Sequence, residues 1–490
     1  MKAFFRISLL ILISLSACRK SNTYFEGSTN LRFSTDTLLF DTVFTTVGSI
    51  TKRVKVYNDL DEDLKIDEIK LAGTADSPYR LNIDGLEANI ANDVVLRAKD
   101  SLHIFVEVTI DPNDSNQPHI HTDSITFLTN GKQQDLDLVA WGQDAHFYYG
   151  NSFLVYENQD PNLPDDTIYF HSITQPTNWN DDKPHVIYGN LFVHLGGELN
   201  ILAGTQVHLH HNANIIVLEE SSLKIRGEIS NPVLVSSDRL DEYYKDIPGQ
   251  WGRIWLAGGS SNNIIENATI KNGNIGLYVD TVANSYEPNL TLKNTIISNH
   301  SMYGIRAYSS KIKASNCQIN DNGIHDLYLF AGGDYRFSHC TFANYNSGHS
   351  YPSLRMSNYY EDANGNEEVR PMVRANFENC IIYGTIESEI AVESSFNAPF
   401  NFKFKNCLMK LKESNYDLSN TSYFENNIIN ESPKFIQTMN AYEYNYELDA
   451  LSPAQNSGAL STANRFRKDF YGNYRTNDEG PDIGAYERVE

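Results

Sequence analysis

Glu378-Asn379-Cys380-Ile381-Ile382 and Lys405-Asn406-Cys407-Leu408-Met409 are two copies of one phrase, and its recurrence decides the fold. Earlier copies read Glu266-Asn267-Ala268-Thr269-Ile270, Lys293-Asn294-Thr295-Ile296-Ile297, Ser315-Asn316-Cys317-Gln318-Ile319 and Ser338-His339-Cys340-Thr341-Phe342. The last is Glu425-Asn426-Asn427-Ile428-Ile429. From one Asn (or His339) to the next the gaps are 27, 22, 23, 40, 27 and 20 residues. A period in the twenties marks a solenoid, whose units bury their apolar faces only by stacking on neighbours. The residue after the Asn is small or compact, the third after it is large and apolar, and the one between varies. That is the alternation of a strand. Second strands follow at Gly276-Leu277-Tyr278-Val279, Gly304-Ile305-Arg306-Ala307 and Gly323-Ile324, with glycine allowing a tight corner. No helical period intervenes, so the stretch reads as a parallel β-helix rising about 4.8 Å per coil.

Stacking also explains the invariant places in the phrase. In-register asparagines at a bend pass amide hydrogen bonds from coil to coil and satisfy turn backbone that water does not reach. Cys317, Cys340, Cys380 and Cys407 then form a buried column of small side chains. Stacked coils offer them no tetrahedral metal arrangement, and their parallel Cβ vectors disfavour disulfides, so they read as free thiols.

Residues 31–144 have a different texture, with short alternating strands such as Leu102-His103-Ile104-Phe105-Val106-Glu107-Val108 and turn signals every eight to twelve residues. Their order resembles the immunoglobulin-like sandwich at the amino end of many bacterial envelope lipoproteins. From His185 the coils begin, and Gly249-Gln250-Trp251-Gly252-Arg253-Ile254 resembles a frequent coil of right-handed parallel β-helix proteins of the pectate-lyase-like superfamily. The resemblance covers roughly 185–445 and implies a fold, not an activity. The expectation is thus an all-β chain, an immunoglobulin-like β-sandwich followed by a right-handed parallel β-helix. Residues 145–184 read as a connection covering the first coil, and 446–490 as a cap. The closing Asp482-Ile483-Gly484-Ala485-Tyr486-Glu487 resembles the end of the choice-of-anchor-Q group, with Asp482 and Glu487 expected to pair with turn backbone or Arg475.

Met1 to Ala17 reads as a secretory leader, with Lys2 and Arg6 before an apolar run too short to span a membrane. Leu15-Ser16-Ala17-Cys18 resembles a bacterial lipobox, which implies acylation of Cys18 and residues 18–30 as a tether. A lipid-anchored place on the outer membrane of a Gram-negative bacterium follows, either face being open. The formal charge is −23, and losing the two leader cations takes it to −25 (−23 − 2). Nucleic acid is therefore not an expected partner, and an acidic polymer is repelled unless cations bridge it.

The phrases that mark pectin hydrolases of this fold are missing: there is no Gly-His-Gly and no Arg-Ile-Lys, and Asp181-Asp182 lies ahead of the coils. The sequence therefore favours glycan or envelope-protein binding without a cofactor. The alternative is a lyase or hydrolase with a divergent site, and calcium enters only with a lyase. Outward positions of the second strands suggest a ligand surface of Tyr278, Asp280, Arg306, Tyr308, Asp326 and Tyr328, tyrosines flanked by charge that stack sugars. The same residues also read as solvated cross-coil pairs. His194, His208, His210 and His211 read as an outward cluster, and His119 with His121 as a loop pair, neither joined by a further ligand in sequence. Lys311-Ile312-Lys313 reads as a solvated face, and Gly348 to Val369 as an extra coil or a loop thrown out of the stack.

Replacing Cys18 by Ser should release the protein from the membrane fraction. Continued tight association of that variant would refute acylation at this position.

Overall fold

The computed structural model describes residues 24–490 apart from 74–75, 114–118, 157–165, 282–286, 363, 441–442 and 489–490. The leader and Cys18 lie outside the described residues. The chain divides into two compact units, up to Asp144 and from Ala145.

In the first unit two five-stranded sheets share one core. Strand Lys132–Gln143 runs antiparallel to His119–Thr129 and parallel to Thr37–Phe44. Alternation does the sorting: Leu102, Ile104, Val106 and Val108 are buried, whereas Phe105 and Glu107 of the same strand face solvent.

The second unit is a stack of parallel strands in a 19-stranded and a 10-stranded sheet, the latter opening with one antiparallel pair, Ser152–Tyr156 with Asp166–Ile173. Ile265, Leu292, Ala314, Phe337, Phe377, Phe404 and Phe424 occupy one inward rung position on successive coils. The last four rings stack at 5.1, 5.0 and 5.8 Å, so the core narrows to an aromatic column. Ser338 pairs directly with Glu378, so the 40-residue interval is a single coil. Like its neighbours it gives one strand, Leu354–Ser357, to the ten-stranded sheet, and its extra length includes a small hairpin of Tyr359–Glu361 with Glu367–Val369.

The asparagine column does more than carry amide bonds. Asn267, Asn294, Asn316, His339, Asn379, Asn406 and Asn426 all hold positive φ, between 47° and 54°. Asn tolerates that left-handed turn better than other residues with a side chain. Asn294 then donates to Asn267 (3.0 Å) and Asn316 to Asn294 (3.1 Å), and Asn379 bonds His339 (3.1 Å). Glycine at the opposite corner answers a close approach: a Cβ on Gly276 would meet the Gly304 carbonyl at 2.6 Å, and one on Gly304 the Asp326 carbonyl at 2.7 Å.

Residues 446–488 lie along the side of the coils. The hairpin Phe435–Gln437 with Asn445–Leu448 covers Ile381 and Leu408, outward members of the repeated phrase, and Ala343 just past it. Further on, Gly484 donates to the Asn379 carbonyl and Ala485 to Thr341. Arg475, fully buried, reaches Glu487 (3.1 Å), the Ala485 carbonyl (2.9 Å) and Asn316 (3.1 Å). This segment is a lateral strap across coils at Asn316 to Asn379.

The four cysteines of the column are free and buried, each thiol pointing at a strand carbonyl such as Ser315 (3.2 Å from Cys317). Burial pushes the Cys317 and Cys380 thiols up, away from the reactive thiolate. The mature protein should therefore react slowly with a thiol reagent when native and show all four thiols when denatured without reductant. Ile382→Asp should abolish folding, because an unpaired charge would enter a dry core; soluble, cooperatively folded protein would show the strand faces to be inverted.

Candidate functional site

Outward positions of the ten-stranded sheet form a ladder in the order Trp255, Tyr278, Arg306, Tyr328, Arg355. Trp255 stacks on Tyr278 at 5.7 Å. The Arg306 guanidinium lies 4.9 Å from the Tyr278 ring and 5.2 Å from Phe330, and that of Arg355 lies 5.3 Å from Tyr328. Tyr308 stands two residues along, between Phe330 (5.5 Å), Tyr360 (5.8 Å) and the Arg370 guanidinium (5.5 Å). Each arginine contact is worth about 0.5–1 kcal/mol at an exposed site, so the rings and cations satisfy one another. A sugar stacking here would have to displace a guanidinium.

Two of the six ladder residues inferred from sequence fall elsewhere. Asp280 lies past the strand end, where its carboxylate accepts the Thr281 amide (2.7 Å). Asp326 is fully buried, not outward. It stands in register with Gly304 and Gly276, whose Cβ directions meet Ile319 and Ile297 in the core. Alternation breaks at this corner, so neighbouring residues both face inward. Asp326 Oδ1 accepts from Asn322 (2.8 Å) and Asn344 (3.4 Å), near a second buried pair, Glu389 with His349 (3.1 Å).

The predicted histidine cluster also separates. His208 is buried and its Nδ1 meets the Ser237 carbonyl (2.9 Å); His210 pairs with Asp238 (2.6 Å), and His194 with the Ser172 hydroxyl (2.7 Å). The rings of His119 and His121 pack edge to face at 4.9 Å. Three residues not singled out from sequence, His146, Asp182 and His185, bring donor atoms within 4.8 Å of one another.

A wide concavity lies on the other sheet. Outward residues Thr291, Lys313, Arg336, Asn376 and Lys403 follow one column, and Glu266, Lys293, Ser315, Ser338, Glu378 and Lys405 the next. The strap passes beside them and turns Arg465, Phe466, Arg467 and Lys468 toward the same space. Glu266, Thr291, Lys293, Lys313 and Ser315 with the strap bound a groove of about 560 Å³, which continues past Lys313 and Arg465 into a second hollow of about 220 Å³ beside Arg336, Asn376 and Glu378. Its acids are Glu266, Glu378 and Asp469: Glu378 is tied to Arg465 and Thr462, and buried Asp469 accepts backbone amides of Asn473 and Glu487. A protein of charge −23 thus carries a basic channel. Sequence reasoning missed it because the strap residues are about 150 positions away from Lys313, as the bond from Asn316 to the Lys468 carbonyl, 152 residues apart, shows.

The fold is a parallel β-helix. A family model described as the right-handed β-helix region matches residues 249–358, and one described as the pectate-lyase-like β-helix domain matches 171–280. The comparison with curated proteins yields no match. Among solved structures the chain is similar to a thermostable GH87 α-1,3-glucanase catalytic unit from Streptomyces thermodiastaticus, at 8% identity and a TM-score of 0.16, covering 73% of this chain and 62% of that one. It is also similar to a family 123 glycoside hydrolase from Clostridium perfringens, at 8% identity and a TM-score of 0.17, covering 23% of this chain and 26% of that one. The chain therefore spans less than two thirds of either structure.

Burial holds the Asp326 carboxyl well above the usual carboxylate range. Its folded value exceeds its unfolded one, so its contribution to stability is present below about pH 4 and is lost as pH rises through the folded value. Asp326→Asn, which keeps the acceptor but cannot ionise, should flatten the decline in Tm from about pH 4 to neutrality. Asp326→Leu, which strands the Asn322 and Asn344 amides, should lower Tm throughout. An unchanged pH profile in the Asn variant would contradict the protonated assignment.

Proposed function

We propose that this protein is a lipid-anchored envelope protein, tethered through Cys18 at the Gram-negative outer membrane, whose β-helix binds an acidic glycan. The amino-terminal sandwich acts as a spacer. The basic groove carries the reading: about 560 Å³ is the size of an ordinary ligand cleft, and Lys293, Lys313, Arg467 and Lys468 line it with Phe466 as a stacking ring. Net charge alone argued against an acidic polymer, but local field decides encounter, and this face is locally positive. Charge-assisted bonds to carboxylate or sulfate suit such cations, arginine bidentately.

Groove geometry favours retention over hydrolysis. Glu266 and Glu378 share a column but stand four rungs apart. At ~4.8 Å per rung that is roughly 19 Å, whereas glycosidase carboxylates stand about 5–10 Å apart. The tyrosine ladder, with Tyr278, Arg306, Tyr308 and Tyr328, serves on this reading as an auxiliary surface.

Affinity electrophoresis in polygalacturonate or a sulfated glycan, against a neutral glucan, tests the proposal. The native chain should be retarded by the anionic polymers only, and less so as salt rises. Lys313→Glu with Arg336→Glu should weaken binding about tenfold or more while Tm stays close to native, since both side chains are exposed. Equal retardation of this double variant would refute the groove. New unsaturated products or reducing ends would replace binding by catalysis.

A further inference from the structure

The entrance of the solenoid carries a cluster that the glycan reading does not use. Strand His146–Tyr148 pairs in parallel with His185–Ile187, which places His146 directly beside His185. Their rings lie 5.0 Å apart. Asp182, on the turn before His185, reaches His146 Nε2 with its Oδ2 at 2.8 Å. One donor atom from each of the three lies within 4.8 Å of the others.

We propose that His146, Asp182 and His185 form a binding site for a borderline divalent transition metal, with zinc as the reference ion. Two imidazoles and one carboxylate are the donor set such ions prefer, and three protein ligands leave a fourth position for water. Calcium and magnesium, which want six or more oxygens, do not fit it. A tetrahedral ion with bonds of ~2.1 Å needs donors roughly 3.4 Å apart, so small rotations of His146 and Asp182 complete the site. Both side chains are free to make them, at 41% and 57% exposure.

His185 is the rigid member. Its ring stacks on Trp179 (4.6 Å, 12°) beside Tyr148, whose ring lies on the same indole (4.5 Å). Its nitrogens already meet oxygen partners, Nδ1 the Tyr148 hydroxyl (2.8 Å) and Nε2 the Asn180 carbonyl (3.0 Å). A metal takes one of these places, and the other partner keeps the ring oriented, as outer-shell oxygens do for most metal-bound histidines. The ion would tie together three pieces of chain: the strand Ala145 introduces, the turn at 180–182 and the first regular coil. His146–Tyr148 is the first strand of the 19-stranded sheet, and a ligand bound only by the folded form stabilises that form.

The test uses the full mature chain, stripped with a chelator and titrated with Zn²⁺ alone. One equivalent should bind and raise Tm, while Ca²⁺ and Mg²⁺ leave Tm unchanged. His146→Ala and Asp182→Asn, both at exposed positions, should fold normally and each lose at least tenfold in zinc affinity. His210→Ala, which removes the other surface histidine–aspartate pair, should bind zinc like the native chain. Absence of zinc binding in the native chain would overturn the site. So would undiminished binding by the His146 and Asp182 variants, or loss of binding in the His210 variant.

Discussion

One constraint governs the solenoid from Asn267 to Asn426: each coil turns at the same place, with its backbone in a left-handed conformation. Asparagine meets the conformational demand at least cost, and its amide then answers the neighbouring coil. Turn geometry and coil-to-coil bonding thus come from one residue. Where His339 takes the place, its ring nitrogen still receives the amide of Asn379, so the chain of bonds continues through a different side chain.

The same column binds the strap. Asn316 donates both to Asn294 and to the Lys468 carbonyl, and accepts from buried Arg475. Asn379 donates to the Ala459 carbonyl and accepts the Ala459 amide. A buried guanidinium is tolerated only with partners, and Glu487, Ala485 and Asn316 supply them. Expectation and structure agree on the pairing of Glu487 with Arg475 and part over what it secures. The pair holds a side wall; an end cap was the expectation.

This explains what the sequence revealed and what it hid. Repeats gave the coils, their inward columns and the free thiols, because period-two alternation and a period in the twenties are local signals. The strap leaves a weak trace: the middle residue of the phrase varies between polar and apolar at Thr269, Ile296, Gln318 and Thr341, and is apolar throughout at Ile381, Leu408 and Ile428, where the hairpin covers it. Asp326 was assigned outward because alternation was carried through a corner, where a bulge-like rung turns two neighbours inward. Pairings such as His146 with His185 depend on which strand stacks on which, and no short-range pattern carries that.

Charge separation follows from the same architecture. A parallel stack repeats each outward position every coil, so any residue type kept at one position becomes a stripe. Lys313, Arg336 and Lys403 make such a stripe in a chain with a large acidic excess. A stripe alone is a flat, solvated face on which isolated ion pairs are worth little. The strap changes that, because Arg465 to Lys468 add a second wall and narrow the water between them. Cations facing each other across a cleft focus their field, whereas the same charges on an open face are screened within a Debye length of ~8–10 Å. The ladder bonds from Asn316 and Asn379 therefore also set the distance between the two basic walls.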